Sequence, residues 1–145
     1  MKKIIIINGP NLNLLGIREN EIYGKDTLEK IKSECEKKCA ENKLEVFFFQ
    51  SNNEGEIIDR IHEVNISYDG LIINPAAFTH SSIAILDSLR AITKPKIEVH
   101  LSNIYSREEY RKKSITSEGV DGLICGFGGN SYLLGIEAIS KLIYT

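Results

Sequence analysis

The sequence predicts a doubly wound α/β fold, a parallel sheet with helices on both faces, from three observations. Five short apolar runs alternate with helix-patterned stretches at the spacing of βαβ units. The first run, Ile4 to Ile7, is four consecutive isoleucines, which suits a strand buried on both faces. Three of the runs end in polar residues, Asn8, Asn74 and His100, and ligands of open α/β sheets bind at the carboxyl ends of strands. Five strands so connected suggest the flavodoxin-like order 2-1-3-4-5 in one domain, residues 1–145.

In chain order, the isoleucine run stops at Asn8-Gly9-Pro10, three turn formers. The following stretch to Gly24 mixes Asn, Arg, Glu and Tyr with Leu12, Leu14, Leu15, Ile17 and Ile22. It is too apolar for a linker and too polar for a core element, and long loops in compact domains are usually functional. Asp26 to Asn42 has helical spacing, with Asp26 and Glu29 as a capping pair. Leu44 to Gln50 reads as a buried second strand. Asn53 and Glu56 cap a second helix whose inward stripe is Ile57, Ile58, Ile61 and Val64. Gly70 to Asn74 is the third strand, Pro75 to His80 a loop, and Ser81 to Ala91 a helix carrying Ile83, Ile85, Leu86 and Leu89. Lys96 to His100 is the fourth strand, and Ser106 with Glu109 forms a capping box for a short helix through Lys113. Asp121 to Phe127 is the fifth strand and Ser131 to Tyr144 the last helix, joined by Gly126-Phe127-Gly128-Gly129-Asn130 as a tight turn.

At 145 residues the chain is long enough to bury one core without disulfides or a structural metal. A net charge of −2 without a basic run lacks the footprint of a nucleic-acid binder. Lys2-Lys3 before four apolar residues is too short for a signal peptide, so a cytoplasmic protein without a membrane segment is expected. Three cysteines without C-x-x-C argue against a disulfide framework or zinc ribbon. Cys35 and Cys39 extend the stripe of Leu28 and Ile31 and read as core, as does Cys125.

Arg18, Arg107, Arg111, His80 and His100 fall in or beside the loops on one sheet edge, a set suited to a small carboxylate. Arg107 and Arg111 read equally as the solvated face of a short helix. His80 and His100 read either as structural histidines or as site residues, and two of three histidines on one edge favour the second reading; His62 reads as exposed. Clustered aspartates, a Walker motif, G-x-S-x-G and metal-spaced histidines are all missing from the sequence. What remains is cofactor-free, metal-free proton transfer on a small anion.

The segments INGPNLNLLGIRENEIYG, NPAAFTHSS and EVHLSNIYSREEYR, in order over nearly the whole chain, resemble the three signature blocks of the type II 3-dehydroquinate dehydratases. The resemblance implies anti elimination of water from 3-dehydroquinate to 3-dehydroshikimate through an enolate, in the shikimate pathway of aromatic amino-acid biosynthesis. By the same resemblance Tyr23, as phenolate, is the base and Arg18 favours its ionised form. His100 is the general acid, with Glu98 near enough in sequence to orient it only if the local backbone turns, and Asn11 holds a water or donor at the enolate oxygen. Asn74, His80 and Arg111 bind ring hydroxyls, Leu101 and Ser102 the carboxylate, and Arg18 to Tyr23 form a lid. Asp87 matches a residue reaching a neighbouring subunit's site, and the implied assembly is a dodecamer of four trimers. The last helix, apolar around more than one face, also predicts an oligomer.

Three positions depart from the family pattern: Ala76 where glycine is common, Leu86 where arginine is common, and Asn20 where proline is common. A contrasting expectation is a non-catalytic carboxylate binder on the same fold. Arg18, Tyr23 and His100 together favour the enzyme, since a binder gains nothing from a positioned base and acid.

Overall fold

The computed structural model describes residues 1–17 and 26–145. Its strands are β1 (Lys2–Asn8), β2 (Leu44–Gln50), β3 (Gly70–Asn74), β4 (Lys96–His100) and β5 (Gly122–Cys125), all parallel, in the order β2-β1-β3-β4-β5. The helices are α1 (Leu28–Glu41), α2 (Glu54–His62), α3 (Val64–Ser67), α4 (Ile83–Ala91), α5 (Glu109–Lys112) and α6 (Asn130–Tyr144).

Alternation along the central strands builds two cores. Ile4, Ile6, Ile72, Ile97 and Val99 pack on one face against Ile31, Cys35 and Cys39 of α1 and Tyr132, Ile136 and Ile139 of α6. Ile5, Ile7, Leu71 and Ile73 pack on the other against Ile57 and Ile61 of α2 and Ile85 and Leu89 of α4. Both faces are therefore covered, and Ile4 to Ile7 are buried throughout. Each such side chain contributes about 1.5–3 kcal/mol of burial. Burial above all pushes the Cys35 and Cys39 thiols up to about 12, so both stay neutral within the core.

The register aligns the carboxyl ends. Asn8 pairs with Gln50 on one side and Asn74 on the other, and His100 with Cys125. On β4, Ile97 and Val99 enter the α1/α6 core, which leaves Glu98 and His100 on the opposite face.

Several expected local details differ. β2 is an edge strand and only its first residue is buried, with Phe47 exposed, because it has one neighbour. Cys125 is likewise half-buried, on the other edge. Helix α1 is capped by Thr27, which accepts from the Lys30 N–H; Asp26 instead accepts from the Gly129 N–H, tying the start of α1 to the start of α6. The second helical stretch breaks at Glu63, so Val64 begins α3. Ala76–His80 is a 3-10 turn, and α4 begins at Ile83 and not at Ser81, capped by Ser82, with Ile83 exposed. Ser106 ends a 3-10 turn, Ile104–Ser106, capped by Asn103, and α5 has no side-chain cap, so the Ser106–Glu109 box does not form. The expected Asn53 cap on α2 is present. The fifth strand stops at Cys125, where Gly126 with φ +99° and Gly128 with φ +61° turn the chain into α6.

Candidate active site

A pocket lies at the carboxyl ends of β1, β3 and β4, lined by residues from the three segments that follow them. Its first wall is Pro10, Asn11, Leu12 and Leu15. Gly9 makes this wall possible: its N–H donates to the Asn74 carbonyl at 2.8 Å, and a Cβ there would lie 2.4 Å from the Pro75 oxygen. Leu12 and Leu15 are buried, which accounts for the apolar character of the loop. Asn11 adopts a left-handed φ of 69°, and its N–H donates to Asn52 Oδ1 at 2.9 Å.

The second wall follows β3: Asn74, Ala76, Ala77 and His80. Asn74 Oδ1 accepts from the Ala76 N–H at 3.1 Å, and its Nδ2 donates to the Tyr132 hydroxyl at 2.9 Å. Tyr132 in turn donates to Asn8 Oδ1. Burial pushes the Tyr132 phenol well above its ordinary value, against the opposing hydrogen bond from Asn74, so it is a permanent donor. His80 Nδ1 donates to the Lys113 carbonyl at 2.7 Å, which leaves Nε2 as the acceptor of a neutral ring. Burial lowers the His80 pKa, and repulsion from His100, Arg111 and Arg107 lowers it further, outweighing the bond to Lys113.

The third wall is His100, Leu101, Ser102, Ile104, Arg107 and Arg111. His100 Nε2 lies 2.7 Å from Glu98 Oε2. Glu98 is fully buried, a placement that by itself raises a carboxyl pKa, yet hydrogen bonds from His100, Thr116 and Thr79 and the charge of His100 bring it below its ordinary value. A carboxylate accepts only, so Nε2 is the protonated nitrogen and Nδ1 the one left for other work. Arg107 reaches Ser102 Oγ at 3.5 Å, and Arg111 Nε pairs with Glu108 at 3.1 Å. Among the described residues, the ionisable ones lining the pocket are two histidines and two arginines, a set that suits an anion.

The pocket thus gathers Asn11, Asn74, His80, His100, Leu101, Ser102 and Arg111. Arg18 and Tyr23 lie outside the described residues, as does Asn20. Asp87 is exposed on α4 and does not line this pocket. Leu86 is buried in the chain, its Cδ1 3.0 Å from where a Gly119 Cβ would stand. Asn8, expected at the ligand edge, is instead engaged by Tyr132 behind it. Sequence reading missed Tyr132 and the hydroxyls around Glu98, because their partners are far along the chain. Arg107 was legible only as a member of the cation cluster.

The family model for class II dehydroquinases matches residues 2–140. A 3-dehydroquinate dehydratase of Caldicellulosiruptor saccharolyticus is 53% identical over 144 residues, 99% of each chain. Among solved structures, the type II dehydroquinase of Butyrivibrio crossotus superposes with a TM-score of 0.93 at 45% identity, covering 95% of this chain and 97% of that one. The type II dehydroquinase of Propionibacterium acnes gives 0.94 at 38% identity, covering 97% of each. With its sheet order, its cationic pocket and these similarities, the chain belongs to the class II dehydroquinase family.

Proposed function

We infer that this protein is a 3-dehydroquinate dehydratase of the shikimate pathway, removing water from 3-dehydroquinate to give 3-dehydroshikimate. The observation that carries the reading is His100 bonded to a buried, ionised Glu98 at the wall of a cationic pocket, in a chain of this family. The reaction begins with loss of the proton beside the ketone, taken by Tyr23 as phenolate with Arg18 favouring that form. The resulting enolate oxygen is met by Asn11 or a water it holds. His100, with Nε2–H committed to Glu98, donates from Nδ1 to the departing hydroxyl, and the Glu98 charge stabilises the imidazolium before transfer.

Ring hydroxyls are held by Asn74, His80 and Arg111, where the free Nε2 of His80 accepts and Arg111 donates. The substrate carboxylate is placed at Leu101 and Ser102, with Arg107 beside Ser102 adding charge. Purified protein with 3-dehydroquinate should generate the ultraviolet absorption of a conjugated enone. A protein that binds the substrate and yields no enone is a carboxylate binder, and the reading fails.

The same reading places the protein in the cytoplasm, which its unpaired cysteines support, and makes it a dodecamer of four trimers. Supporting assembly, Asp87 points outward from α4, and Phe127, Leu134 and Leu142 expose apolar surface along β5 and α6. Light scattering at micromolar concentration should give twelve chains; a monomer overturns the assembly and leaves the activity standing. No described helix is long and apolar enough to cross a membrane.

A further inference from the structure

Glu98 accepts more hydrogen bonds than orienting one histidine requires. His100 Nε2 lies 2.7 Å from its Oε2, and the hydroxyls of Thr79 and Ser114 lie 2.8 and 2.9 Å from the same oxygen. The Thr116 hydroxyl lies 2.6 Å from Oε1. Three donor groups thus converge on Oε2 and one on Oε1, so Oε2 is saturated and the three hydroxyl protons are shared between the carboxylate and the neighbouring hydroxyls. The hydroxyls also touch one another, Thr79 Oγ1 lying 2.6 Å from Ser114 Oγ and 2.7 Å from Thr116 Oγ1. Thr79, Thr116 and Glu98 are fully buried, so no water replaces a missing donor at low cost.

The three hydroxyls come from two segments that carry pocket residues. Thr79 precedes His80 in the turn after β3, and Ser114 and Thr116 follow Arg111 and α5. The segments are stitched together by the Ile115 N–H on the Thr79 carbonyl at 2.7 Å and by His80 Nδ1 on the Lys113 carbonyl. One buried charge on β4 is therefore the meeting point of three parts of the pocket wall: His100, the His80 turn and the Arg111 segment.

We propose that Thr79, Ser114 and Thr116 are positioning residues for the dehydration, a hydroxyl cage that holds Glu98 as an anion and so fixes His100 with its proton on Nε2. They touch Glu98 and not the pocket, since none of the three lines it. The proposal rests on His100 being the acid. Its structural part, the protonated nitrogen of His100, is read independently of turnover.

The test compares Thr116→Val with Thr116→Ser. Valine keeps the shape and removes one donor from a buried charge, an interaction whose loss corresponds to about a 10–100-fold effect. The expected result is a kcat lower by about tenfold or more with KM within about twofold, and recovery of kcat in the serine variant. Nitrogen NMR of His100 should show Nε2–H bonded to a carboxylate in the native protein and in Thr116→Ser, with that signal weakened in Thr116→Val. A folded valine variant with native kcat and an unchanged His100 signal overturns the proposal. So does a serine variant as slow as valine, which would make the role one of packing. Should Thr116→Val not fold, Ser114→Ala carries the same expectation at several-fold in kcat, and native behaviour there overturns it. If the native enzyme shows no dehydration, the function reading fails, and the NMR comparison still decides whether the cage sets the tautomer.

Discussion

Ala76 holds a φ of +53° while its N–H donates to Asn74 Oδ1 at 3.1 Å, so an amide lining the pocket is secured by a residue in a left-handed conformation. A Cβ in that region costs roughly 1–2 kcal/mol. A glycine would avoid the cost at this position, and the alanine is accommodated under strain.

Ala76→Gly should therefore stabilise the fold, by up to about 1 kcal/mol once the greater freedom of glycine in the unfolded chain is subtracted. Urea unfolding is the measurement, with a raised midpoint and an unchanged slope expected. A lowered midpoint would mean that the methyl, which packs against the core beneath the pocket, contributes more than the strain removes.

His80 predicts a particular acid sensitivity. Burial, with His100, Arg111 and Arg107, holds its folded pKa below the ordinary 6.5, so the folded protein binds fewer protons there than the unfolded chain. Its contribution to stability is whole above about pH 6.5 and is lost as pH falls from there through the folded pKa. His80→Gln should lose less stability between about pH 7.5 and 5.5 than the native protein in urea melts. An identical loss in both would assign the acid sensitivity to other groups.

His100→Ala should lower kcat by on the order of 10²–10⁴-fold while affinity for a product-like anion changes far less, because the acid acts on the leaving group. Binding is read by calorimetry and turnover by enone formation. Near-native turnover would reassign the acid.

The base makes the strictest numerical demand. A phenol with a pKa of about 10 is only about 0.1% ionised at pH 7, and lowering it to 7 requires roughly 4 kcal/mol. One cation about 4 Å away supplies roughly that at an effective dielectric near 20. Tyr23→Phe should abolish turnover with the fold intact. Arg18→Gln should move the basic limb of the pH–rate profile upward, so that some of the lost rate returns at high pH. An active Tyr23→Phe points to another base, and an Arg18→Gln variant slow at every pH makes Arg18 a positioning residue.

By itself the sequence determined the alternation of strands and helices, the sheet order, the three blocks that carry the family, and which polar residues stand at the carboxyl ends of β1, β3 and β4. Those are properties of local periodicity and strand direction: a run ending in Asn74 or His100 places that side chain at the edge wherever the sheet is parallel. Tertiary structure alone decided that β2 buries only its first residue, that Asp26 reaches the start of α6 while Thr27 caps α1, and that Tyr132 reaches 58 residues back to Asn74. It also decided the surroundings of Glu98, whose hydroxyl partners lie 16 to 19 residues away on either side. Hydrogen-bond partners of buried groups are chosen by which segments pack over them, and no repeat in the sequence records that choice, whereas a burial pattern repeats every two or 3.6 residues and can be read directly.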